Sequence, residues 1–342
     1  QLNDLINNYH VDIDQLTYTL GASSGDLLTG SNSSKVAKAS AIVVSDSTSV
    51  TNLQAIQTAA GTGVLLNDGI TYTGVTDTAA VLSSTTPATQ AVLLNKALTF
   101  NQDATAAQYR QALTNDGSGS VSGSVVETSS AALTSGAALT NVTSITYKAQ
   151  SDGEDLTGLT FDESVKPVHF DLDGHTGVLL KVAQADNKTI TKTNNGTYFI
   201  KDTFSAINTA AGRTGASATD PSQFKVIFGA NEVQITDYAK TQDYAALDPS
   251  NSDVATAYAA AGGSGSLTLA DVKVTMAANT TLSESEAATS NNITKVDLAN
   301  NVSLTVTADA FDTSSNEWSS LTTLTGLDGT NNLVITAGTS GA

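Results

Sequence analysis

Three histidines, His10, His169 and His175, are the only side chains whose ordinary pKa lies close to neutrality. General acid–base chemistry near pH 7 would have to be built around one of them. None stands in a recognisable serine–histidine–aspartate or H-E-x-x-H arrangement, and the chain has no G-x-x-x-x-G-K-[ST] loop. His169 and His175 flank a turn, a common place for a loop histidine. No catalytic residue is assigned, and the chain is read as a non-enzyme. The carboxylates are more suggestive. Asp171-Leu172-Asp173-Gly174-His175-Thr176-Gly177 sets two acids at i and i+2 ahead of a glycine turn. At that spacing both can face one hard cation while backbone carbonyls complete its shell. An EF-hand needs a third ligand and a bidentate glutamate further on, and Val178-Leu179-Leu180 offers neither, so a plain hairpin turn competes with a calcium site. Asp152-Gly153-Glu154-Asp155 and Asp162-Glu163 are weaker clusters of the same kind, for which a solvated loop is the alternative. The candidate metal ligands are therefore Asp171, Asp173, Asp152 and Asp155, with calcium as the one cofactor considered.

Composition narrows what surrounds these loops. Carboxylates outnumber lysine plus arginine by 33 to 15, for a net charge of −18 and a pI near 4.2. That balance argues against a nucleic-acid groove or a patch for anionic membrane, each of which needs a basic face to displace counterions. Arg110 and Arg213 are the only arginines, too few to hold the carboxylated sugars of an acidic polymer, which disfavours a polysaccharide-degrading enzyme. Cysteine is absent, removing disulfide, thiol-catalytic and zinc-finger readings together. With 40% hydrophobic residues and a mean hydropathy of −0.04 the chain should bury a core. Its longest apolar runs, such as Ala41-Ile42-Val43-Val44, are far shorter than the roughly 18 residues of a membrane span. The sequence opens at Gln1 without a basic and then apolar leader, so it shows no signal of its own, and processing is one of several ways in which an earlier start could have been removed.

The elements that would position the acids recur along the chain. Ala41-Ile42-Val43-Val44-Ser45-Asp46, Ile70-Thr71-Tyr72-Thr73-Gly74-Val75-Thr76-Asp77, Leu98-Thr99-Phe100-Asn101-Gln102-Asp103 and Val125-Val126-Glu127 each run from β-branched or alternating residues to an acid. A helix-compatible, one-sided apolar segment follows each: Val50, Leu53 and Ile56; Val81 and Leu82; Tyr109 and Leu113; Ala131 and Leu133. Further copies stand at Tyr198–Thr203 and Val233–Tyr238. The reading is a strand, an acid capping the helical turn that follows it, and a short helical corner, in units of roughly 25 residues. A unit so small cannot hide its own apolar face, so units must stack. The fold expected is mainly β, an elongated β-solenoid-like repeat array, with a β-sandwich as the competitor.

Residues 162–265 interrupt the pattern and carry most of the phenylalanine and three of the four prolines. His169-Phe170-Asp171-Leu172, Val178–Val182 and Phe224–Phe228 read there as strands of an irregular β-rich insertion, Val254–Ala261 as a short alanine-rich helix, and Gly262 to Gly265 as a joint. From Ser266 a period of two returns in Val272-Lys273-Val274, Val296-Asp297-Leu298, Val302-Ser303-Leu304-Thr305-Val306 and Leu333-Val334-Ile335. Three domains follow: an N-terminal array at 1–161, the irregular subdomain at 162–265, and a C-terminal β segment at 266–342. Seven N-x-[ST] sequons, at Asn32, Asn141, Asn187, Asn195, Asn279, Asn292 and Asn301, are no more than the composition alone produces.

On the segments Ile70–Leu82 and Tyr198–Thr203 the sequence resembles the large repetitive surface proteins of Gram-negative bacteria and cyanobacteria, surface-layer proteins and RTX-type adhesins exported by type I secretion. The likeness implies an extracellular, cell-surface location, assembly with other copies, and calcium dependence. It departs from that group at Gly262-Gly263-Ser264-Gly265-Ser266, which is not followed by the aspartate of the calcium-binding G-G-x-G-x-D repeat, residue 267 being leucine. The function expected is that of a structural surface protein which self-assembles into a surface layer, sheath or filament. Ser/Thr/Asn ladders would let strands pair without a greasy patch. The alternative is an adhesin segment, with 162–265 as the module binding a glycan or host ligand. The partners expected are further copies of the chain and a surface polysaccharide, with no nucleic acid and no membrane span.

Overall fold

Serine or threonine at the head of the apolar segments, and glycine behind the longer ones, turn those segments into true helices. In the computed structural model the Ser49 hydroxyl accepts from Asn52 N at 3.1 Å and opens the helix Val50–Ala60, which stops at Gly61 (φ 84°). Thr105 and Gln108 form a reciprocal capping box on Ala106–Asp116, which ends on left-handed Gly117. Shorter helices, Ser24–Leu27, Ala79–Leu82 and Phe204–Ala210, take their caps from Ser23, Thr78 and Thr203. The structure describes residues 6–61, 63–118, 120–129, 131, 133, 139, 141–159, 168–186, 188–211, 226–242, 244–247, 256, 259, 269, 271–283, 286, 292–307, 318, 320–326 and 331–336.

Helix takes 30% and strand 32%, and the sheets are all parallel, so the protein is mixed α/β. This corrects the expectation of a mainly β, solenoid-like array carrying an irregular insertion. Two of the connections run 11 residues as helix. An amphipathic, alanine-containing segment capped at both ends propagates well past the single turn a β corner would need.

The chain divides into two compact units, Gln1–Tyr147 with Thr160–His169, and Lys148–Leu159 with Phe170–Ala342. In the first unit β1 (Thr19–Ala22), β2 (Ala41–Val44) and β3 (Ile70–Thr71) pair in sequence order. So do β4 (Gly74–Asp77), β5 (Ala97–Phe100), β6 (Val121–Glu127) and β7 (Val142–Lys148). Thr19 lies beside Ala41, Gly74 beside Ala97 and Leu98 beside Val121, so a new strand is laid down at intervals of roughly 20 to 30 residues. Alternate residues face inward: Ile42, Val75, Leu98, Val121 and Val125 are fully buried against Leu53, Ile56, Leu82 and Tyr109 of the helices.

In the second unit β8 (Val168–Asp171) sets Phe170 and Asp171 beside Ile190 and Thr191; β9 spans Val178–Leu180 and β10 Ile190–Thr191. The main sheet runs in the order β9, β11 (Tyr198–Asp202), β12 (Glu232–Ile235), β13 (Asp271–Met276), then β15 (Lys295–Leu298) and β17 (Thr323–Thr325). A second sheet joins β14 (Thr280–Leu282), β16 (Ser303–Thr307) and β18 (Asn332–Thr336). Strands expected in an irregular insertion thus share one sheet with the cleaner C-terminal ones. Two local expectations change. A helix at Val182–Ala185, held at its start by Gln184 Oε1 accepting from Lys181 N at 2.8 Å, ends β9 early, and residues 226–229 are helical where a strand was expected. Asp162, Glu163 and Gly262 to Gly265 lie outside the described residues, as does the segment 254–261 apart from 256 and 259, both helical.

Candidate functional site

The acids at the strand ends act one layer away from where their spacing placed them. Asp46, just past β2, accepts from Ser24 N at 2.6 Å and from the Ser24 hydroxyl at 2.8 Å. Asp77 accepts from Val50 N at 3.0 Å, Glu127 from Ala106 N at 2.6 Å, Asp202 from Val182 N at 3.1 Å and Asp237 from Phe204 N at 2.5 Å. Each donor is the first helical N–H of the preceding layer. The local Ser or Thr cap takes an N–H further in, as in Ser49 with Asn52 and Thr105 with Gln108. Carboxylate and hydroxyl therefore divide the orphan donors of each helix start between them. The other oxygen of Asp77, Glu127 and Asp202 accepts from its own next N–H, at 2.8, 3.3 and 2.8 Å. These acids clasp consecutive layers together, whereas the sequence reading had each one capping its own following turn. A usable signal was the hydroxyl directly behind the acid in Asp77-Thr78, Glu127-Thr128 and Asp202-Thr203, which frees the carboxylate for another partner. Burial works against the charge on Asp46, but the two bonds from Ser24 outweigh it and hold the carboxyl below its ordinary 3.8. Asp103, the fourth acid of the spacing series, is different: it is exposed, and Phe100 occupies the register position beside Asp77.

The four candidate calcium ligands all lie in the second unit, on two loops that meet. Asp152 Oδ1 accepts from Thr176 N at 2.8 Å and stands 3.5 Å from His175 Nδ1. Its carboxyl is held below the usual range chiefly by the Thr176 N–H. Asp171 Oδ1 accepts from Asp173 N at 3.0 Å and from the Thr193 hydroxyl. Asp173, in left-handed backbone at φ 48°, pairs through Oδ2 with Lys148 Nζ at 3.0 Å. Asp155 bonds Thr157 N at 3.0 Å and the Thr157 hydroxyl at 2.6 Å through Oδ1, and Lys201 Nζ at 2.7 Å through Oδ2. Burial opposes its charge, yet Lys201 and Thr157 lower its pKa. In this arrangement each of the four carboxylates accepts from a protein donor. A cation would have to displace Lys148 from Asp173 and Lys201 from Asp155, and among the described residues no three His, Asp or Glu side chains converge as a metal group. His169 sits in β8, and His10 in left-handed backbone at φ 50°.

The outward sheet faces carry polar ladders. In the first unit Ser47 Oγ meets Thr76 Oγ1 at 2.8 Å, Thr99 meets Ser122 at 3.2 Å, and Ser124 meets Thr143 at 3.3 Å and Ser144 at 3.1 Å. In the second unit Lys295 Nζ lies 2.6 Å from Glu232 Oε2 and 2.8 Å from Asp271 Oδ2, and Lys273 lies 3.4 Å from Asp297. The ladders bind strand to strand within each unit.

The core column of the second sheet ends in the open. Leu282, Val306 and Ile335 stand side by side on β14, β16 and β18. Leu282 and Val306 are fully buried, but Ile335 is 58% exposed and its neighbour Val334 41%. Among the described residues β18 pairs with β16 alone, and at the other limit of the chain β1 pairs with β2 alone. No helix among the described residues is long and apolar enough to cross a membrane. Compared with family models, curated proteins and solved structures, the chain finds no match.

Proposed function

We propose that the protein is a structural component that works by joining copies of itself through the free edges of its parallel sheets, as a layer, sheath or filament on the outside of a bacterial cell. The observation that carries this reading is Ile335: a side chain in register with the buried Leu282 and Val306, on a strand that among the described residues pairs on one side only, and 58% exposed. One further parallel strand laid along β18 would bury Ile335 and satisfy that edge. The occupant proposed is β1 of a second copy. Like β18, β1 pairs on one side only among the described residues, and parallel strands can match their N–H and C=O groups edge to edge. Such a contact is heterologous, so it propagates from copy to copy without having to close. The polar ladders support the same reading, since they stiffen each sheet and leave the faces hydrated.

Light scattering over a concentration series tests this. The wild-type chain grows in mass with concentration, whereas Ile335→Lys, which sets a charge in the contact while leaving Leu282 and Val306 buried, stays monomeric and melts as the wild type does. A wild-type chain that remains monomeric at every concentration, or an Ile335→Lys chain that assembles equally well, overturns the proposal.

A further inference from the structure

The first unit holds a hollow of about 300 Å³ on the outward side of β5, β6 and β7, at the small end of the range for ligand pockets. It arises because neighbouring strands are irregular at the same level. Between the Thr99–Ser122 pairing and the Ala104–Val125 bridge the β5 chain spends more residues than β6, so Asn101, Gln102 and Asp103 bow outward. On β6 the register with β7 shifts between Gly123 and Ser124. Gly123 sits at φ 138°, which an L side chain rarely adopts, and a Cβ there would come within 2.8 Å of Phe100 Cβ. The missing side chain lets Phe100 lie against the backbone as part of the lining of the hollow. Paired irregularities of this kind re-aim side chains and are typical of functional places in a sheet.

What the hollow presents is specific in kind. Asp103 brings a carboxylate, Asn101 and Gln102 bring amides, and Ser122, Ser124 and Thr143 bring hydroxyls. No lysine or arginine lines it, so it does not suit an anion, and its single carboxylate is too few for a hard cation. The three bowed side chains are exposed and make no hydrogen bond within the described residues, whereas the strand acids are committed to N–H groups. Adjacent hydroxyls, each both donor and acceptor, match this set: two donate to one carboxylate while amides and Ser/Thr hydroxyls serve the rest. An apolar ring edge beneath suits the C–H side of a pyranose. We infer that this hollow binds one uncharged sugar residue, independently of the edge-to-edge assembly proposed above.

The test is titration of the full chain, by calorimetry and saturation-transfer NMR, with methyl β-galactopyranoside, methyl α-glucopyranoside and N-acetylglucosamine, and with glucuronate and calcium chloride as contrasts. At least one neutral sugar binds with a Kd of about 1 mM. Asp103→Ala weakens it about tenfold, the loss of a charge-assisted hydrogen bond, without moving the melting temperature. The inference is overturned if none of the three neutral sugars binds, if glucuronate binds as well as they do, if calcium alone occupies the site, or if Asp103→Ala binds like the wild type.

Discussion

Removing the carboxylate of Asp77 should unlatch one layer of the first unit from the next. Asp77 is 8% exposed; its Oδ2 holds Val50 N at 3.0 Å and its Oδ1 holds Thr78 N at 2.8 Å. In Asp77→Ala the buried first N–H of the helix Val50–Ala60 is left without a partner, at a cost of about 1–3 kcal/mol. Loss of a negative charge beside that helix start adds about 0.3–1 kcal/mol. The sum to be expected is about 1–4 kcal/mol, and about 1 kcal/mol for Asp77→Asn, whose amide oxygen still accepts one bond. Urea unfolding followed by far-UV circular dichroism gives the total, and hydrogen exchange of residues 50–60 gives its location, since protection should fall first in that helix. Asp103→Ala is the internal control: the same residue type at the same point of the spacing series, with its side chain in solvent, and a change under about 0.5 kcal/mol. An Asp77→Ala chain as stable as the wild type, or an Asp103→Ala chain equally weakened, refutes the clasp.

Three further outcomes follow from the same geometry. The folded pKa of Asp46 lies below its ordinary 3.8, so its stabilisation is complete above the unfolded value and is lost as pH falls through the folded one. Urea midpoints of the wild type should therefore drop below about pH 4 more steeply than those of Asp46→Asn. Asn115, 4% exposed, donates to Leu82 O at 2.8 Å and Ser84 O at 2.9 Å and accepts from Gln90 and Gln111, both at 3.0 Å. Asn115→Leu abandons all four bonds at a cost of about 2–3 kcal/mol in chemical denaturation. Gly123→Val combines a disfavoured φ with a clash against Phe100, and should cost about 2–4 kcal/mol in the same measurement.

Much of the strand content was legible: β2, β4, β11, β13, β15 and β16 all coincide with alternating or β-branched runs. The helices were underestimated because a segment such as Val50–Ala60 shows its length only through the cap at Ser49 and the stop at Gly61. The partners of the acids were not legible in principle. Asp77 meets Val50, and Asp237 meets Phe204, across spans set by how long each intervening connection happens to be. For the same reason Asp173 looked like a free ligand until the fold brought Lys148 to it. The hollow at Asp103 had one cue, a glycine inside the strand Val121–Glu127, which commonly marks a bulge. Asp103 itself was indistinguishable by spacing from the acids that clasp.

The edge-to-edge contact is open to one direct measurement, because the chain has no cysteine of its own. Copies carrying Leu20→Cys in β1 are mixed with copies carrying Ile335→Cys in β18, oxidised mildly and separated by mass. Adjacent strands lie about 4.7–4.9 Å apart, within disulfide reach. A cross-linked pair containing one copy of each, forming only in the mixture, is the predicted result. Ile335→Cys copies that cross-link only among themselves, or no cross-link at a concentration where scattering reports assembly, would contradict it.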